Sequence, residues 1–444
     1  MNPLDTGGRA GRARSRPIRL ATAAILAAAL AATAACSGDG GESDEDGKIQ
    51  IRFSWWGNDE RAATTEKMIR LFEEQHPDID VIGETSDVDA HFDKLATEVA
   101  AGRPADVVTM DVAHLGEYGS RGALLDLSAV GDVLPTDGIA ESALANGVFD
   151  GVQYGVPAGV HTYALVVNPN LFQAAGVELP DDDTWTWDDF VAIADELAAN
   201  LPDGHYALSD PTTAETLELF SLQRGDGLYT PEGDVAISEQ SFVDWWTMTL
   251  GLRDSGATPD ADLTAEPAGQ PAPEQTLMGR GLAAMQFDWS DQLPALRKAS
   301  VEPLRLMRVP GESSGVQPAM WLRASQLYTI SSATEHPREA AMLVDFLVNS
   351  PDAGRIVRND RGVPANSEVL EATLPELDEG QSATAEFIAR VLPTAGRPQV
   401  IGPVGPAETA LIIDRYNAEV LFDRMTPAEA ASQALAEIRA AVGR

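Results

Sequence analysis

KIQIRFSWWGNDERAATTEKMIRLFEEQHPDIDVIGETSDVDAHFDKLATEVAAGRPADVVTMD, Lys48 to Asp111, is the stretch whose reading decides the fold. Ile49-Gln50-Ile51-Arg52-Phe53-Ser54 alternates apolar and polar residues with the two-residue period of a strand. Trp55-Trp56-Gly57-Asn58-Asp59 does not continue that alternation, and Asn58 or Asp59 offers the N-cap of a helix beginning near Glu60. Thr65, Met68/Ile69 and Phe72 then share one helical face, and His76-Pro77 ends the run. A second strand is expected over Ile79–Ile82. It is followed by a helix with Phe92, Leu95 and Val99 on one face, ending at Gly102, and by a third strand, Val107–Met110, closed by Asp111. The order β-α-β-α-β predicts a parallel sheet with right-handed crossovers, and such sheets bind ligands beyond the carboxyl ends of their strands. Trp55, Trp56, Asp59 and Asp111 all fall at such ends.

Working outward, the Gly- and Pro-rich run Gln153–His161 gives way to a strand at Thr162–Val167, a change that marks a crossing between two lobes. A second α/β unit follows. Gly176 closes a short helix over Leu171–Ala175, and Thr186 caps a longer one with Asp189 three residues on, as in a capping box. Trp185 and Trp187 stand at its entrance, where indoles serve as staples or reach a ligand. Further helices are expected over Glu215–Arg224 and Glu239–Arg253, with Trp245 and Trp246 divided between core and surface. Pro259–Gln275 reads as a surface excursion. The strand Ala283–Asp288 delivers Trp289, with Ser290 placed to cap another helix. Strands at Leu304–Val309 and Gln326–Ile330 bracket Trp321, Arg361–Asn366 is a turn, and helices are expected over Pro406–Phe422 and Pro427–Val442. Thr426-Pro427-Ala428-Glu429 is a second capping box, with Pro at the first helical position.

Composition narrows the function classes. The chain has 444 residues, enough for about two domains, and a formal net charge of −38. Residues 1–35 hold five Arg and one Asp, and removing them leaves −42. Such a surface repels nucleic acid and anionic lipid. Arg9, Arg12, Arg14, Arg16 and Arg19 precede an apolar run from Leu20 to Thr33, the pattern of a secretory leader too short to span a bilayer comfortably. Residues 37–47 carry no apolar side chain and read as an acidic tether. One cysteine in the whole chain, Cys36, excludes disulfides and cysteine-rich zinc sites. Six dispersed histidines indicate no dedicated metal site, and no cofactor motif is present. Gly311-Glu312-Ser313-Ser314-Gly315 matches G-x-S-x-G literally. Pro310 before it and Pro318 after it leave no strand-turn-helix frame for a nucleophile elbow.

The runs FSWWGNDERAATTEKMIRLFEEQHPDIDV, FDKLATEVAAGRPADVVTMD and GALLDLS resemble the N-terminal lobe of extracellular solute-binding proteins of ABC importers, in the sugar-binding group that includes maltose-binding proteins. YGVP with TYALVVNPNLF resembles that family's first passage through the hinge. GLAAMQFDWSDQL resembles the second-lobe strand that delivers a sugar-stacking aromatic. The resemblance implies an α/β, two-lobe periplasmic-binding-protein fold of type II, each hinged lobe having a central sheet flanked by helices. It implies a leader at 1–35, a tether at 36–47, an N-terminal lobe of 48–157 plus 325–370, and a C-terminal lobe of 158–324 plus 371–444. Thr33-Ala34-Ala35-Cys36 resembles a bacterial lipobox, with Thr33 where the family usually has Leu. That implies lipidation of Cys36 and anchoring on the outer face of the cell membrane. A monomer that captures a carbohydrate and docks on membrane permease subunits with their ATPase completes the expectation; neither an enzyme nor a cofactor is implied.

A pyranose offers an apolar C–H face to indoles and vicinal hydroxyls to carboxylates, each charged hydrogen bond being worth about 1.5–3 kcal/mol. Trp56 and Trp289 are the leading stackers, then Trp55 and Trp321. Asp59, Asp111, Asp210 and Asp288 are the leading acceptors, Arg361 a donor, and His161 stands just past the hinge crossing. Each has a structural alternative. One of Trp55 and Trp56 points into the core, Asp59 is also a candidate cap, Asp111 and Asp210 are also turn formers, and Tyr163 packs in the sheet. Asp210 rests on the resemblance of its SDP to a carboxylate-bearing EP turn in maltose-binding proteins. Two other readings are a receptor of the same fold for a polyol phosphate or polyamine, and a secreted carbohydrate-active enzyme with paired carboxylates.

Overall fold

The computed structural model describes residues 47–230, 233–265, 272–396, 400 and 406–442. The leader, Cys36, the tether up to residue 46 and part of the 259–275 excursion lie outside them. Ten strands are present among the described residues: β1 Ile49–Trp56, β2 Ile79–Ser86, β3 Val107–Met110, β4 Val148–Phe149, β5 Val152–Gln153, β6 Gly155–Val167, β7 Tyr206–Leu208, β8 Ala283–Trp289, β9 Arg305–Met307 and β10 Leu322–Ile330. Eight form one mixed sheet in the order β2-β1-β3-β10-β6-β8-β7, with β9 also on β6, while β4 and β5 form a separate hairpin. The β-α-β-α-β order of the opening stretch is present. β1 pairs in parallel with β2 and β3, and the connections carry helices α1, Asp59–Gln75, and α2, Val88–Ala100.

β1 runs two residues beyond its expected end. β2 continues to Ser86, so Trp55 and Trp56 find ladder partners in Thr85 and Ser86. Trp55 takes the inward position over Gly83, where a Cβ would lie 2.8 Å from its ring. The second deviation is β6. The Gly- and Pro-rich crossing is itself strand: residues 155–162 pair antiparallel with β10, and residues 163–167 pair with β8 and β9. One 13-residue strand therefore joins the β2-β1-β3-β10 half of the sheet to the β8-β7 half. Pro157 pairs with Leu327 beside an irregularity that interrupts β10 between Ala324 and Leu327, the kind of place where a sheet tolerates a residue with no N–H. Gly159 is required by close approach, because a Cβ there would sit 2.1 Å from the carbonyl oxygen of Arg361.

The cores follow from these elements. Ile51, Phe53, Trp55 and Tyr328 pack with Met68 and Phe72 of α1 and with helix Pro337–Asn349 in a cluster that continues along β6 and β8. A second cluster is helical, built from Ala214–Gln223, Glu239–Asp254, Pro406–Leu421 and Pro427–Val442. Trp245 and Trp246 are both fully buried there, rather than divided between core and surface. Their helix has neighbours on two sides: Trp245 meets Trp187 and Phe220, and Trp246 stacks on Phe242 and donates to Asn417 Oδ1. Each buried indole contributes a few kcal/mol of transfer free energy. Both capping boxes form, at Thr186/Asp189 and Thr426/Glu429. Ser290 caps no helix. It is buried and accepts from Thr162 N at 3.1 Å. No helix follows Gly315, and Glu312 turns inward to accept from Ala319 N at 3.0 Å and Met320 N at 3.1 Å.

Candidate ligand site

Two aromatic groups stand at strand ends. The first gathers at the end of β1. Trp56 is half-buried, meets His91 edge-on at 5.2 Å and leans on Phe92 at 5.6 Å, and Phe92 stacks on His114 at 4.0 Å. His91 is buried on α2, with Nε2 3.0 Å from Thr109 O and Nδ1 3.4 Å from Ser54 Oγ. A carbonyl oxygen only accepts, so Nε2 carries the proton and Nδ1 receives the Ser54 hydroxyl. Burial holds its pKa below the ordinary 6.5.

The second group is laid down by register. Arg323 of β10 is opposite His161 of β6, and Tyr163, two residues on, is opposite Trp289 of β8. Trp289 meets His161 edge-on at 4.9 Å and Tyr163 at 5.2 Å, and the Arg323 guanidinium lies 5.3 Å from its ring centroid. Burial lowers the pKa of His161, Asp291 and Asp111 raise it, and Arg323 lowers it. Asp111 thus brings the β3 corner within electrostatic reach of the row on β10, β6 and β8. Its Oδ1 also accepts from Ala113 N at 2.8 Å, capping the helix Val112–Ser120.

Carboxylates flank this row. Asp288 accepts from Trp289 N and from Gln286 Nε2, both at 2.8 Å, and Gln286 Oε1 accepts from Ser209 Oγ at 3.2 Å. Burial raises the Asp288 pKa to about 6, so near that pH the group can accept or donate. Burial also raises Asp210, whose Oδ2 accepts from Thr212 Oγ1, and the Tyr163 phenol, which meets Thr213 Oγ1 at 3.2 Å.

Trp56, Asp111, Asp210, Asp288 and Trp289 are therefore each half-buried at strand ends or corners, and His161 is half-buried in the middle of β6. Asp59 is exposed in the first turn of α1, and Asn58 is the cap, accepting from Arg61 N at 2.9 Å. Three residues are placed elsewhere than expected. Trp55 is 2% exposed in the core, because the extended β1 turns its alternation inward there. Trp321 is 1% exposed, with its carbonyl accepting from Thr162 Oγ1 at 2.7 Å. Arg361 is 2% exposed, and its guanidinium donates to Tyr328 Oη and Thr65 Oγ1. It fastens the 360–363 turn to α1 and β10. Trp185 and Trp187 are staples: their indole N–H groups donate to Arg308 O at 3.2 Å and Gln223 Oε1 at 2.7 Å.

Arg323, His91 and His114 carry no expectation from the sequence, and Phe92 is expected there only on the apolar face of α2. The strand expectation began at Gln326, four residues late, so it left Arg323 outside β10. Among the described residues, Asp181, Asp182 and Asp183 are close enough together to hold a cation. Asp182 pairs with Arg390 at 2.7 Å and Asp183 with Arg308 at 3.2 Å, so arginines already supply the positive charge. No helix of the described residues is long and apolar enough to cross a membrane.

The sequence matches the family described as bacterial extracellular solute-binding protein over residues 56–353. An uncharacterized lipoprotein from the oleD 5' region of Streptomyces antibioticus is 24% identical over 83% of this chain and 81% of its own. The family 1 extracellular solute-binding protein of Alicyclobacillus acidocaldarius superposes with a TM-score of 0.81 at 24% identity, covering 89% of this chain and 99% of that one. A periplasmic oligogalacturonide binding protein from Yersinia enterocolitica superposes with a TM-score of 0.76 at 21% identity, covering 89% and 100%. These likenesses establish the two-lobe α/β fold.

Proposed function

Because this chain belongs to the bacterial extracellular solute-binding proteins, we propose that it is the receptor of an ABC sugar importer, capturing a di- or oligosaccharide between its two lobes. The observation that carries the reading is the row Arg323, His161 and Trp289, with Asp111 of the β3 corner in electrostatic reach. A half-buried indole beside hydrogen-bonding carboxylates suits a ring with an apolar face and a hydroxylated rim.

In this reading the lobes are 48–157 plus 325–370 and 158–324 plus 371–444. They close by bending where β6 and β10 pass between them. Closure requires ligand contacts that differ between the open and closed states, which Trp56 and Asp111 on one side and Trp289 and Asp288 on the other would supply. Cys36 would carry the lipid that holds the protein at the outer face of the membrane, next to its permease. The likeness to the Streptomyces antibioticus lipoprotein supports the anchor, and the likeness to an oligogalacturonide-binding protein supports a sugar ligand.

A melting screen of the purified protein against mono-, di- and trisaccharides tests the proposal. A cognate sugar at about 100 times its Kd should stabilise the protein by about 2.7 kcal/mol, a rise of several degrees. A full panel that leaves the melting temperature unmoved would reject it.

A further inference from the structure

We infer that the saccharide carries a carboxylate, as uronic acids do, and that Arg323 recognises it; this rests on the sugar-receptor reading above. The argument begins with the state of the chain's arginines. Arg52, Arg61, Arg253, Arg297, Arg308 and Arg361 are, like Arg323, partly or wholly buried, and each has a carboxylate oxygen within 4.0 Å. Arg103, Arg280, Arg305 and Arg439 have no such partner, and all four are exposed to solvent. Among the described residues, Arg323 alone combines partial burial with the absence of an ion pair. In a chain of 69 acidic residues, that vacancy is not for want of carboxylates.

A guanidinium partly withdrawn from water without a counter-charge loses some hydration uncompensated, and a partner delivered by a ligand offsets that loss on binding. Its position fits that role. β10 sets Arg323 opposite His161, and the guanidinium lies against the Trp289 ring. A sugar lying against this row would present its substituents to the guanidinium fork, whose geometry suits a bidentate carboxylate.

Matched ligands separate this inference from its premise. Titration calorimetry of the purified protein would compare di- and trigalacturonate with their methyl esters, in which the charge is lost and the ring kept, and with neutral disaccharides. The acids should bind about 10- to 100-fold more tightly than the esters, the ratio expected of one charge-assisted contact. Arg323→Met, which removes the guanidinium, should abolish that preference, bringing the affinity for the acids down to that for the esters. Arg323→Lys should retain part of it. Melting curves of both variants identify any loss that comes from unfolding. Neutral sugars binding as well as acids, or a preference that survives Arg323→Met, would overturn the inference and leave the sugar receptor standing. Failure of every sugar, acidic and neutral, would overturn both.

Discussion

The two aromatic groups resemble one another in composition and differ in how far they are finished. Around Trp56, both ring nitrogens of His91 have partners, and Phe92 and His114 stack beside it. Around Trp289, His161 is set among Asp291, Arg323 and Asp111, and Arg323 has no carboxylate within 4.0 Å among the described residues. The first group has its histidine satisfied from within the protein and presents the half-buried Trp56 at its margin, whereas the second leaves a half-buried guanidinium without a carboxylate. The difference teaches that aromatic residues at a strand end do not by themselves identify a ligand surface. Unmet polar capacity beside them does.

Substitutions can break or sharpen this contrast. The largest effect is expected from Trp55→Ala, which empties the space over Gly83 and should cost about 3–5 kcal/mol in urea denaturation. A cost under about 1 kcal/mol would return Trp55 to the list of ligand contacts. Trp289→Ala should instead weaken sugar binding by about 10- to 100-fold in calorimetry and shift stability less than Trp55→Ala does. If affinity is unchanged in that variant, the second group is packing and not a ligand surface.

Smaller effects distinguish the groups by the sign of their pH dependence. His91 is held neutral by burial, with its pKa below 6.5. Its contribution to stability is present above that value and is lost as pH falls through it. His91→Gln should therefore reduce the loss of melting temperature between about pH 6.5 and 5. Asp288 acts in the opposite direction. Its pKa is raised from 3.8 to about 6, so folding is penalised as pH rises through that interval. The melting temperature of Asp288→Asn minus that of the parent should grow between pH 4 and 7, the pH span set by the two ends of the shift. A constant difference would mean that Asp288 ionises without penalty.

Much of the fold was legible because its signals are local. The apolar faces of α1 and α2, the stop at His76-Pro77 and the caps at Asn58, Thr186 and Thr426 each depend on residues within about two turns of one another. The candidate site was legible in part, as a set of positions. Trp289 and Asp288 announce themselves at the end of an apolar strand, and Asp111 at the end of another. Arg361 and Trp321 looked equally eligible, and both turned out to be enclosed by elements more than 30 residues away in the chain, α1 and β10 around Arg361 and β6 beside Trp321. Arg323 was invisible because its strand was read as starting four residues too late.

The sequence by itself determined the kind and order of the elements of the opening βαβαβ unit, since periodicity and capping act between neighbours in the chain. Which indole of the Trp55-Trp56 pair faces inward was decided by how far β2 continues alongside β1. Which half-buried arginine, among the described residues, is left without a carboxylate was decided by the register among β10, β6 and β8. Register and burial are properties of pairs of distant segments, and a shift of one residue exchanges the faces of a strand. Only the assembled sheet could select them.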